Sequence, residues 1–203
     1  DNDHYDYQAE AFIDLSPNKI NARNNVMTES DQVYMYSAFF DFPVLSRTFE
    51  TWIRCGIDSS NGTLLSYGDV SNSDHPNDGG SPWVITPGLS INGQSATGVN
   101  VADGQWHHIA VVTEVTPGPD EWSPTGKDSV YLDGVLKYTG VSVNVNQKTG
   151  QPLLIGAKNS QANDQVFQGA LNQVRLWSVA RTAAQILDSF QNGTPPAPGE
   201  AGL

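Results

Sequence analysis

The chain has 203 residues of which only 16% are charged, yet 22 acids against 10 basic groups leave a net charge of -12. Phosphate and anionic-lipid recognition depends on clustered Lys and Arg that release counterions, so nucleic acid is excluded as a partner. No run of about 18 apolar residues exists to insert into a membrane, and the length suits one large all-β domain able to bury its own core.

The sequence opens on the polar DNDHYDYQ, as a mature secreted protein or an excised domain would. Short runs rich in Val, Ile, Tyr, Phe and Trp then recur between clusters of Gly, Pro, Asn, Asp and Ser, the pattern of an antiparallel sandwich or barrel. The predicted strands are Ala11 to Leu15, Gln32 to Tyr36, Arg47 to Cys55, Thr63 to Tyr67, Pro82 to Thr86, Leu89 to Ile91, His107 to Glu114, Asp128 to Leu132, Val135 to Tyr138, Leu153 to Ile155 and Leu171 to Trp177. Cys55, the single cysteine, ends the third run. It rules out an internal disulfide framework and is expected to be a small buried hydrophobe. Trp52 and Trp177 are expected in the core.

After Tyr67 comes DVSNSDHPNDGG, Asp69 to Gly80, with almost nothing apolar in it. Farther on, alternation in DGQWHHIAVV sets Trp106, His108, Ala110 and Val112 on one face and His107, Ile109 and Val111 on the other. Both faces are largely apolar, so this strand belongs in the middle of a sandwich. The adjacent His107 and His108 point to opposite faces and cannot chelate one ion together. Asp133-Gly134 is a two-residue hairpin signal. Thr182 and Gln185 have capping-box spacing, Ile186, Leu187 and Phe190 share a face, and Gly193 is a stop, which together predict one helix. The domain is expected to span residues 1–192, with a Pro- and Gly-rich linker or tail over 193–203.

The order FETWIRC, TLLSYGD, LSINGQ, DGQWHHIAVVTE, DSVYLDGVLKY, PLLIGAKN and FQGALNQVRLWSVARTAAQI resembles the laminin G-like and pentraxin-like members of the concanavalin A-like lectin/glucanase superfamily. Its most specific pieces are D-G-x-W-H-H-[IV]-A, then Y-L-D-G, then G-x-[IL]-x-x-V-R-L-W. The resemblance implies a jelly-roll sandwich of two curved antiparallel sheets with a short C-terminal helix. It also implies binding, at one end or on the concave face, far more often than catalysis.

Pentraxin-like relatives carry Asp-Asn after the S-Y strand and a Glu-Gln-Asp group after the L-x-L-G strand. Here Ser66-Tyr67 is followed by Asp69, Asn72, Asp74, Asn77 and Asp78. Leu154-Ile155-Gly156, in contrast, is followed by Ala157, Lys158 and Asn159, with Asp164 and Gln165 later. The implied cofactor is therefore one calcium ion or none, not two. Calcium takes six to eight oxygens, and Asp69, Asp74, Asn77 and Asp78 are the candidate metal ligands. Asn72, Asn159, Asp164 and Gln165 are candidate ligand contacts. The same residue types also build plain solvated turns, which is the alternative for this loop. A pyranose needs an aromatic platform, and Trp83 and Trp122 are the tryptophans least committed to the core.

Glucanases of this superfamily carry E-x-D-x-x-E or E-x-D-x-E on one sheet, and neither pattern occurs here. Asp120 and Glu121 are adjacent and diverge. There is no G-x-S-x-G elbow, H-E-x-x-H helix or P-loop. The sequence thus points to a non-catalytic, lectin-like module for a glycan or polysaccharide, secreted or at the cell surface. Its alternative is an adhesion module of the same fold gripping a cell-surface or matrix protein. A polysaccharide lyase or glycoside hydrolase is the third reading.

Overall fold

The alternating β-branched and aromatic runs become strands in the computed structural model, which describes residues 13–14, 35–38, 44–56, 62–68, 83–95, 99–120, 123–142, 145, 147, 152–157 and 167–193. Among these residues the strands are β1 (Ile13–Asp14), β2 (Met35–Ala38), β3 (Arg47–Arg54), β4 (Leu65–Tyr67), β5 (Trp83–Ile85), β6 (Ser90–Ile91), β7 (Gln94–Ser95), β8 (His107–Thr116), β9 (Thr125–Leu132), β10 (Val135–Ser142), β11 (Pro152–Ile155) and β12 (Ala170–Trp177); one helix, α1 (Ala183–Asn192), follows. Two six-stranded antiparallel sheets form, in the orders β1-β12-β3-β8-β9-β10 and β2-β11-β4-β5-β6-β7. This is the jelly-roll sandwich that the resemblance implies.

Every predicted strand is present, with shifted limits. Of the first run the described residues Ile13–Asp14 are strand, and at the second the described strand is Met35–Ala38. The β9–β10 hairpin extends to Thr125 and Ser142, beyond its apolar stretch, because backbone pairing continues after the side chains turn polar. Asp133 and Gly134 both take positive φ, 51 and 75, as the two-residue turn requires. The short β7 was not foreseen. Asn92 and Gly93, with φ of 50 and 83, make a second turn of the same kind, and the N-G pair was its signal.

Between the sheets lie Phe49, Ile53, Leu65, Tyr67, Trp83, Ile85, Ile109, Val111, Val130 and Leu171. A second, smaller cluster on the outer face of the first sheet holds Ala110, Val112, Tyr131 and Ile186. The two-faced apolar pattern of HHIAVV has this cause: β8 packs on the second sheet with one face and under α1 with the other. Cys55 is buried, and burial raises its thiol to about 11, leaving it an inert hydrophobe.

Thr182 and Gln185 form the predicted capping box. Ile186 is buried and Phe190 packs against Trp52 and His108, whereas Leu187 is exposed at the rim beside Gly134. Gly193 ends the helix in an extended, not left-handed, conformation, its N–H donating to the Ser189 carbonyl. Trp52 is buried as expected. Trp177 is only half-buried, with the Arg181 guanidinium 4.3 Å over its ring. The expected tail beyond Gly193 lies outside the described residues.

Candidate functional site at the Arg47 end of the sandwich

Strand register decides which connections can cooperate. Tyr67 pairs with Trp83, so the connection between β4 and β5 leaves and returns on neighbouring strands at one end. Arg47, the first residue of β3, stacks on Trp83 and marks this end. Thr116 pairs with Thr125 there, and Ser142 with Gly126, so the β8–β9 and β10–β11 connections also start there. Leu153 pairs with Tyr67, so the last of these connections finishes there too. The oxygen-rich segment with Asp69, Asn72, Asp74, Asn77 and Asp78 and the segment with Trp122 thus share one end of the domain by their anchors; these six residues themselves lie outside the described ones.

The segment with Asn159, Asp164 and Gln165 also lies outside the described residues, and its anchors are elsewhere. It leaves after Ile155, which pairs with Leu65, and returns at Phe167, whose N–H donates to the Gly156 carbonyl at 2.8 Å. The two connections are therefore anchored at opposite ends of β4, separated by roughly 7 Å of ladder. Adjacent antiparallel strands always send their following loops in opposite directions, and the linear sequence does not say that β4 and β11 are adjacent.

Trp83 is not an exposed platform. It is 0% exposed, inside the main core, with the Arg47 guanidinium 4.6 Å over its ring. Its position directly after a polar loop suggested a surface; its place opposite Tyr67 puts it between the sheets instead.

Under the loops at this end sits a buried polar row that sequence reasoning missed. Arg47, Thr113 and Asp128 stand side by side on β3, β8 and β9, on the face that carries Phe49, Val111 and Val130 inward. Arg47 donates to the carbonyls of Val44 at 3.2 Å and Leu45 at 3.0 Å and to Oε1 of Gln147 at 2.8 Å. Burial lowers the guanidinium to about 10, and the nearby Asp128 and Tyr67 oppose that fall. Burial likewise raises Asp128, against the pull of the Thr113 hydroxyl, which donates at 2.6 Å. Having no exposed surface, Arg47 cannot touch a ligand directly. What it does is fasten the segment before β3, the β10–β11 connection and the first residue of β5 to one point, a rigid floor for the loops above. An arginine opening an apolar strand was the only signal.

Two further polar clusters lie elsewhere. At the opposite end His107 bonds Asp133 through Nδ1 at 2.9 Å and Asp103 through Nε2 at 3.2 Å. Burial pulls its pKa down, but the two carboxylates outweigh this and hold it above its usual value. Asp133 also accepts the backbone N–H of His108 at 2.9 Å. The D-G-x-W-H-H and L-D-G motifs are one physical unit, and with both ring nitrogens engaged His107 is a structural brace. Under α1, the buried Glu50 pairs with Arg181 and stands 3.6 Å from His108 Nε2. Although burial raises it, these partners hold Glu50 below the usual carboxylate range. Among the described residues no group of three or more His, Cys, Asp or Glu converges as a metal site, and none of the helices is long and apolar enough to cross a membrane.

A laminin G family model, described as concanavalin A-like lectin/glucanases superfamily, matches residues 27–187. The chain belongs to this superfamily. Among curated proteins it is 26% identical over 147 residues to the rat "Sushi, von Willebrand factor type A, EGF and pentraxin domain-containing protein 1", covering 66% of this chain and 4% of that protein. The chain thus spans only a small part of that relative's length. Among solved structures, domain 4 of AbnA, a GH43 extracellular arabinanase from Geobacillus stearothermophilus in complex with arabinotriose, aligns with a TM-score of 0.51 at 17% identity, over 81% of this chain and 84% of that one. The botulinum neurotoxin serotype D binding domain aligns with a TM-score of 0.50 at 12% identity, over 86% of this chain and 46% of that one. Both structures share the sandwich with this member of the superfamily.

Proposed function

We propose that this domain is a non-catalytic, extracellular carbohydrate-binding module whose ligand end is the Arg47 end, with one calcium ion held by the 69–78 segment. The observation that supports the reading is that two connections are anchored at this end over a rigid floor. An oxygen-rich connection suited to calcium and to sugar hydroxyls is anchored beside the connection that bears Trp122. With Trp83 committed to the core, Trp122 is the aromatic platform of the reading. Asp69, Asp74, Asn77 and Asp78 supply metal oxygens, and Asn72 a ligand contact. Asn159, Asp164 and Gln165 belong to a connection anchored at the other end of β4, and the reading does not depend on them.

The oligosaccharide in the AbnA domain 4 structure makes arabino-oligosaccharides the first ligands to try. The test is a glycan array read with calcium and again with chelator. Binding of one family of sugars, weakened by the chelator, is expected. Silence in both conditions overturns the reading, and product release from a polysaccharide panel overturns its non-catalytic part.

A further inference from the structure

The buried ion pair under α1 belongs to no part of the ligand end, yet it is built with care. Glu50 stands in a row across the outer face of the first sheet, with Arg175 of β12 opposite it on one side and Ala110 of β8, then Tyr131 of β9, on the other. Arg181 comes from the connection between β12 and α1. It donates to Oε1 of Glu50 and to the Ser189 hydroxyl at 2.6 Å, and its second terminal nitrogen donates to the Gln185 carbonyl at 3.1 Å. One guanidinium thus ties the sheet to the helix. The charged and titratable groups that face Glu50 are Arg181, Arg175, His108 and Tyr131. The one acid of α1, Asp188, is exposed and bonded to Asn192.

The helix has little else to hold it. Ten residues are too few for a stable isolated helix, and α1 has no acid in its first turn and no base in its last to match its dipole. Along it only Ile186 and Ser189 are buried, with Phe190 against Trp52 and His108. The strands beneath are held differently. β3 and β8 are each paired on both sides, and the main core covers their inner face. Units that differ so much in their supports open separately.

We propose that α1 is an acid-released latch: protonation of Glu50 undocks the helix from the outer face of the first sheet while the sandwich beneath stays folded. Although burial raises it, His108 and Arg181 hold the docked Glu50 below its ordinary 4.5. Undocked, the carboxyl meets water and returns toward that value. Below 4.5 the undocked form therefore binds more protons, and acid favours it. In the docked form the added proton leaves the Arg181 charge without its counterion, out of water. Outward movement of α1 with Arg181 hydrates that charge and breaks no strand pair, since α1 belongs to neither sheet. The step uncovers Trp52, Ala110, Val112 and Tyr131, an apolar strip closed in the docked form.

The experiment is amide hydrogen exchange on the whole chain, read peptide by peptide between about pH 6 and 3 and corrected for the intrinsic exchange rate. Wild type is compared with Glu50→Gln combined with Arg181→Met, which removes both charges together. In wild type, protection over Ala183–Asn192 is expected to fall below pH 4.5, by up to about tenfold per pH unit for one proton taken up, while β3 and β8 keep theirs. In the double variant that slope is expected to vanish. Constant protection of α1 across the range overturns the proposal, and so does its loss from α1, β3 and β8 together, which is global acid unfolding. A slope that the double variant retains overturns it too, because another group then takes the proton. Should the double substitution prevent folding, the wild-type series decides by the first two outcomes.

Discussion

Arg47 holds its guanidinium 4.6 Å over the ring of Trp83, so one buried cation locks the start of β3 to the strand that receives the polar 69–82 segment. The arrangement removes both residues from the surface and makes them the support on which any ligand-binding loops stand.

Removing that support is costly. Arg47→Met leaves the carbonyls of Val44 and Leu45 and the carboxylate of Asp128 buried without their cation, and is expected to destabilise by about 3–5 kcal/mol. In urea unfolding, Arg47→Lys recovers only part of the loss, because an ammonium cannot fork to three acceptors while covering an indole. Asp128→Asn in the Met background costs less than it does alone.

The two loop-flanking tryptophans are expected to separate cleanly. Trp83→Ala opens a core cavity and costs about 3–5 kcal/mol, read as a lowered Tm. Trp122→Ala weakens glycan retention about tenfold, a loss of roughly 1.4 kcal/mol. Equal retention by the Trp122 variant and wild type would remove that residue from the site.

Stability should respond to pH through His107 and Glu50 in opposite senses. His107 titrates above its ordinary 6.5 in the folded protein, so its contribution is complete below that pH and fades as the pH rises through the folded value. Between about pH 6 and 8 the wild-type Tm is expected to fall more than that of His107→Gln. Glu50 titrates below its ordinary 4.5, so its contribution is present above that pH and lost as the pH falls through the folded value. Glu50→Gln flattens that acid limb and costs about 3–5 kcal/mol by stranding Arg181.

Calcium at a hundredfold excess over its Kd is expected to stabilise the protein by roughly 2.7 kcal/mol over the chelated form. Asp74→Ala with Asp78→Ala abolishes that rise. A rise that survives both substitutions places the ion elsewhere, and no rise in wild type removes calcium from the function.

The strands were legible because period-two patterning and turn residues are local, and Thr182 with Gln185 announced the helix for the same reason. Trp83 and Arg47 were not, because burial depends on which strand lies opposite, and Tyr67 is the partner that draws Trp83 inward. That the connections bearing Asp78 and Asp164 are anchored at opposite ends of β4 was hidden similarly. Two connections that look equivalent along the chain start from opposite ends of the ladder once β4 and β11 are antiparallel neighbours. His107 and His108 were readable as non-chelating, but that Asp103 and Asp133 clasp the first of them needed the hairpin to close.

The place of β3 between β8 and β12 also bears on how the protein is made. The Thr51 hydroxyl donates to the carbonyl of Asn172, 121 residues later. At synthesis rates of ~5–20 residues per second, β3 waits about 6 to 24 s for its second partner. Throughout that interval Trp52 and the other side of β3 stand uncovered, with β12 and the helix that shields them still to be translated. A ribosome-bound chain halted before Ala170 is thus expected to need a chaperone more than the completed domain does.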